Sequence, residues 1–63
     1  MFKAKKYLIT IAVTMPDGTT AYVNEFATLL KLTSGLLAGY VRSAKDKSKA
    51  VSAAVTFIKE LEG

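Results

Sequence analysis

The spacing of apolar residues divides the chain into three predicted regions, one with the period of a strand and two with the spacing of a helix. From Tyr7 to Thr14 the residues alternate with period two. Tyr7, Ile9, Ile11 and Val13 share one face, while Leu8, Thr10, Ala12 and Thr14 share the other, the pattern of a half-buried strand. The run is rich in β-branched side chains, which suit a pleated surface. Met15-Pro16-Asp17-Gly18 follows. Pro16 presets φ for a first turn position, Asp17 suits the second, and Gly18 accepts positive φ, the chemistry of a type I turn closing into a bulge. Thr19 to Val23 is again β-prone, so residues 5–23 are predicted to form a β-hairpin whose Tyr7–Val13 face meets the core.

From residue 24 the spacing turns helical. Asn24 suits an N-cap, and Glu25 meets the positive end of a helix dipole. Phe26, Leu29, Leu30, Leu37, Tyr40 and Val41 then recur at helical intervals. Two readings fit residues 24–44. In one, a single amphipathic helix runs from Glu25 to Ala44. In the other it breaks at Thr33-Ser34-Gly35, which is poor helix-interior material. Thr33 then caps a second helix from Ser34 to Ala44, after a first from Glu25 to Leu30. Beyond Lys45-Asp46-Lys47, Ser48 offers another cap. Val51, Ala54, Val55, Ile58 and Leu61 form one apolar stripe, predicting an amphipathic C-terminal helix over 48–62. The expected fold is therefore α+β in one domain spanning 1–63: an N-terminal β-hairpin, a helix-turn-helix or one long helix, and a C-terminal helix.

Composition narrows the function classes. The chain has 63 residues and no Cys or His. A domain this small buries only ~60% of its unfolded surface. Disulfides and the commonest zinc ligands are unavailable to reinforce it, which leaves oligomerisation, and a homodimer is expected. The acids Asp17, Glu25, Asp46, Glu60 and Glu62 show no catalytic pairing in their spacing, and no glycine-rich phosphate loop is present. The chain reads as a binding protein rather than an enzyme, with no cofactor, metal or small-molecule substrate. No stretch approaches the ~20 apolar residues of a membrane span, and no cleavage pattern follows the basic N-terminal segment. With cysteine absent, a cytoplasmic location is expected. Tyr7 and Tyr22 are read as core residues.

The formal net charge is +4, which favours anionic partners. The positive residues cluster at Lys3, Lys5 and Lys6, and again at Arg42, Lys45, Lys47 and Lys49.

Phe26-Ala27, Leu29-Leu30, Leu32-Thr33, Leu37 and Tyr40-Val41-Arg42 together resemble the helix-turn-helix of small phage and bacterial regulators of the Cro, repressor or excisionase type. The small Ala27 stands where that motif brings two helices close, and Phe26, Leu30, Leu32, Leu37 and Tyr40 stand at its core positions. Lys31 replaces the glycine usual in the turn. The resemblance implies a DNA-binding transcriptional regulator, with double-stranded DNA as partner and the second helix in the major groove. On this reading Lys31, Thr33 and Ser34 lie near the phosphates, and Ser34, Gly35, Ala38 and Arg42 face the groove. Arg42 is the one side chain suited to a bidentate guanine contact. Lys45, Lys47 and Lys49 supply phosphate contacts. The alternatives are a protein-binding module or inhibitor using its hairpin edge or helical face, and a structural subunit that assembles through its helices.

Overall fold

A computed structural model of the chain describes residues 3–61. The elements run β1 (Lys5–Thr14), β2 (Thr20–Leu29), α1 (Ser34–Ser48) and β3 (Ser52–Leu61). The strands form one sheet in the order β2-β1-β3, and both outer strands are antiparallel to β1. β2 and β3 are therefore parallel to each other with β1 between them, and α1 is the crossover that joins them.

The hairpin follows from its turn. Met15 N–H donates to Thr19 O at 2.8 Å and Gly18 N–H donates to Met15 O at 2.9 Å. Gly18 takes a φ of 88°, in the left-handed region that L side chains resist. The resulting bulge frees Thr19 N–H from the ladder, and the Asp17 carboxylate accepts it at 3.0 Å. The Thr19 hydroxyl donates to the same oxygen at 2.6 Å. These two bonds favour the ionised form and hold the Asp17 carboxyl below the ordinary aspartate range.

α1 packs on the face of β1 that carries Tyr7, Ile9, Ile11 and Val13. Ile9, Ile11 and Val13 are fully buried, together with Ala44 of the helix. Leu37, Tyr40 and Val41 of α1, Val23 and Leu29 of β2, and Ala53 and Val55 of β3 pack around them. Thr33 caps the helix start, its hydroxyl accepting from Leu36 N–H at 3.2 Å. At the other end Lys49 takes a φ of 56°. There Lys49 N–H bonds Asp46 O and Ala50 N–H bonds Lys45 O, the paired bonds of a Schellman stop.

The arrangement overturns the expected fold in two places. Residues 24–44 form neither a helix-turn-helix nor one long helix. Their first part is the second half of β2, which pairs with β1 through to Lys5↔Leu29. Val23, Glu25, Ala27 and Leu29 turn toward α1, and the β-prone Tyr22, Phe26 and Thr28 turn away. Pairing along the whole of β1 prevails over the isolated N-cap signal of Asn24. Only the start at Ser34 and the cap at Thr33 match the broken-helix reading, and α1 continues past Ala44 to Ser48.

The expected C-terminal helix over 48–62 is not formed by its described residues either. Ser52–Leu61 is β3, and a register shift lies opposite Thr10/Ile11. That bulge explains the Val55–Ile58 step of the misleading stripe, while Ala54 and Leu61 fall on the opposite face and Val51 precedes the strand. Val55 opposes Ile11 while Ile58 opposes Ile9, so helix-side positions run 53, 55, 58 and 60. One extra residue turns a period of two into a step of three, which mimics a helix. Glu62, the end of the expected helix, lies outside the described residues. Among those described, no helix is long and apolar enough to cross a membrane.

Candidate functional site

Among the described residues, one helix and one sheet leave the second face of the sheet with no layer over it; their shortest dimension is 15 Å. Strand pairing fixes what this open face displays. Directly opposed residues share a face, so it reads as rows across β2, β1 and β3. From one end they are Thr28–Lys6–Leu61, Phe26–Leu8–Lys59, Asn24–Thr10–Phe57 and Tyr22–Ala12–Ala54.

Among the described residues three aromatic rings stand on this face and are largely uncovered. Tyr22 is 67% exposed, Phe26 71% and Phe57 51%. Tyr22 and Phe26 are four residues apart on one strand, about 13 Å. Phe57 stands two strands over, in the row between theirs. Exposed aromatic rings gathered on one uncovered face make it a candidate interaction surface. Between the rings, the Thr10 hydroxyl donates to Asn24 Oδ1 at 2.8 Å. With that oxygen engaged, the amide NH2 of Asn24 remains a donor.

The electrostatics of the face are one-sided. Lys6 and Lys59 lie on it, next to Phe26 and Leu8, and both are exposed. Among the described residues no acid shares the face. Asp17 is in the turn, and Asp46 is in α1. Glu25 and Glu60 oppose Ile9 and Tyr7 on the helix side. Those two acids are engaged there, Glu25 with Lys47 at 3.8 Å and Glu60 with Lys5 at 3.3 Å.

The residues expected to touch DNA sit elsewhere. Lys31 is in the loop after β2, and Thr33 is the helix cap. Ser34, Gly35, Ala38, Arg42, Lys45 and Lys47 are in α1, and Lys49 is its terminator. All nine are exposed, and the helix that carries six of them lies on the opposite side of the sheet from the aromatic rings. No preceding helix cradles α1 as the helix-turn-helix requires. A Cβ added to Gly39 would meet nothing, and one on Gly35 only the Thr33 hydroxyl at 3.9 Å, so packing within the fold requires neither glycine.

Tyr22 is a correction of its own: expected in the core, it stands on the open face, whereas Tyr7 is half-buried against the core. The sequence reading puts Phe26 in a helix core and Lys6 in the basic N-terminal cluster, and gives Phe57 and Lys59 no role. The available signal was the continued alternation of Tyr22, Asn24, Phe26 and Thr28 against Val23, Glu25, Ala27 and Leu29. Among the described residues no cluster of acids has metal-binding geometry. Comparison with protein-family models, with curated proteins and with solved structures finds no match.

Proposed function

We propose that the chain binds single-stranded nucleic acid on the open face of its sheet. The observation that carries this reading is the combination on one face of Tyr22, Phe26 and Phe57, largely uncovered, with Lys6 and Lys59 and without a described acid. Exposed rings on a sheet stack unpaired bases, and every base has a face to offer. The lysines attract the phosphates between those bases. A duplex keeps its bases stacked on one another and offers these rings nothing, so the single strand is the preferred form. The broader expectation of a nucleic-acid partner is kept in this form, while insertion of a helix into the major groove is dropped with the fold that implied it.

Anisotropy of labelled single-stranded oligonucleotides and of the matching duplexes tests the reading. Stacking contributes ~1–3 kcal/mol per base, so Phe26→Ala and Phe57→Ala should each weaken single-strand binding by roughly 5- to 150-fold. The logarithm of the affinity should fall with the logarithm of salt, by ~0.7 for each phosphate neutralised. Absence of binding overturns the proposal, and so does binding that prefers duplex and ignores both Phe substitutions.

A further inference from the structure

The two outer strands differ in how their free edges are guarded. β3 carries a bulge and two successive charges, Lys59 and Glu60, devices that discourage edge pairing. β2 pairs with β1 without a break for ten residues and contains no Pro or Lys. Its single charge, Glu25, is turned to the helix side and engaged by Lys47.

Hydrogen-bond parity shows what this edge presents. Met15 N–H donates to Thr19 O, so odd residues of β1 direct their backbone toward β2 and odd residues of β2 direct theirs back. Thr14 O, which accepts from Val51 N–H, and Thr10 O, which accepts from the Thr56 hydroxyl, point the other way, as even positions should. The outward backbone groups of β2 therefore belong to Thr20, Tyr22, Asn24, Phe26 and Thr28. The side chains of the same five residues lie on the open face.

We infer that this edge pairs antiparallel with the same edge of a second copy of the chain, about a two-fold axis at Asn24. Parity admits only even residues opposite even residues. Centring on Asn24 sets Asn24 against itself, Tyr22 against Phe26 of the copy, and Thr20 against Thr28. All five outward positions then bond, with about ten backbone hydrogen bonds. An axis one residue further along would oppose Glu25 to Glu25, a like-charge pair. The Asn24 axis sets Glu25 opposite Val23 instead and forms two cross-strand aromatic pairs. The product is a six-stranded sheet whose open faces join, so four rings gather along the seam. The inference rests on the edge alone and stands whether or not nucleic acid binds.

The absence of cysteine makes the test direct. Opposed residues of a hydrogen-bonded pair have Cα atoms ~5.5 Å apart, within the ~4.4–6.8 Å that a disulfide spans. Oxidised without nucleic acid, Asn24→Cys should give a covalent dimer. Thr20→Cys alone should not, because the two copies of residue 20 would lie ~27 Å apart. An equimolar mixture of Thr20→Cys and Thr28→Cys should cross-link as a heterodimer, and this pair decides the matter if Asn24→Cys fails to fold. Sedimentation gives an independent reading. The unmodified chain should sediment as a dimer, and Asn24→Pro, which removes an outward N–H and, of its links to β1, only the exposed side-chain bond from Thr10, should shift it to monomer, whereas Thr10→Val, which removes that side-chain bond alone, should stay dimeric. A chain that stays monomeric up to millimolar concentration overturns the inference, as does cross-linking that is equal at residues 20, 24 and 28.

Discussion

Thr10 and Asn24 face each other across β1 and β2, and the hydroxyl of Thr10 holds the amide oxygen of Asn24 at 2.8 Å. The bond is solvent-exposed, so its contribution to stability is small, ~0.5–1.5 kcal/mol at most. Its effect on recognition is larger in kind, because it sets which end of the amide is offered between Tyr22 and Phe26. Thr10→Val is expected to leave the thermal midpoint nearly unchanged and to weaken oligonucleotide binding by ~2- to 10-fold, an effect of the size of one hydrogen bond. Calorimetry and anisotropy on the same variant separate the two. A loss of midpoint equal to the loss of binding would show that Thr10 serves the fold instead.

The core rests on few side chains. A 63-residue domain has a stability of about 3–9 kcal/mol. Ile11 is fully buried in the middle of β1. Truncation of such a residue to Ala costs ~2–5 kcal/mol, against ~0.5–1.5 for Ile→Val. Ile11→Ala should therefore remove a large share of the stability and lower the urea midpoint about three times as far as Ile11→Val, which should fold with a modestly lowered midpoint.

Lys49 takes left-handed backbone geometry where helices usually place glycine. Relief of that conformation should outweigh the added freedom of glycine in the unfolded chain. Lys49→Gly is expected to stabilise the protein by about 0.5–1 kcal/mol, raising the thermal midpoint by ~2–8 °C. A lowered midpoint would show that the Lys49 side chain contributes more than its backbone strain costs.

Asp17 gives the turn a pH dependence. Its folded carboxyl titrates below the ordinary value because Thr19 donates two hydrogen bonds to the ionised form. Folding is therefore favoured by ionisation. The contribution is fully present above the unfolded aspartate value and is lost as pH falls through the lower, folded one. Urea midpoints measured down the acid range should fall less steeply for Asp17→Asn than for the unaltered chain. Identical slopes would remove Asp17 from the account.

Legibility followed the reach of the physics that fixed each element. The first strand, its turn and the cap at Thr33 depend on neighbours in sequence, and local chemistry announces them. The second half of β2 and all of β3 depend on β1, a partner 14 or more residues away in the register at Thr10. Phe26, Leu29 and Leu30 lie at helical spacing, yet Phe26 and Leu29 are neighbours on a strand and face opposite sides of it. Val55 and Ile58 fall three apart because a bulge intervenes, and no local signal marks it. The exposed rings were hidden by the same error: a helix assignment gave Phe26 and Phe57 no common surface. Absence of Cys and His, and the positive balance, were visible from the start, but neither says which face meets a partner.

The strand order β2-β1-β3 has a kinetic consequence. β1 finds β2 through a short turn, but it meets β3 only after the chain has wound the helix across the sheet. Until then the even-numbered amides of β1, Lys6 to Thr14, remain open to solvent, while the odd-numbered ones are already bonded to β2. Hydrogen exchange pulsed during refolding should therefore protect β1 in two waves, alternating residue by residue along a single strand.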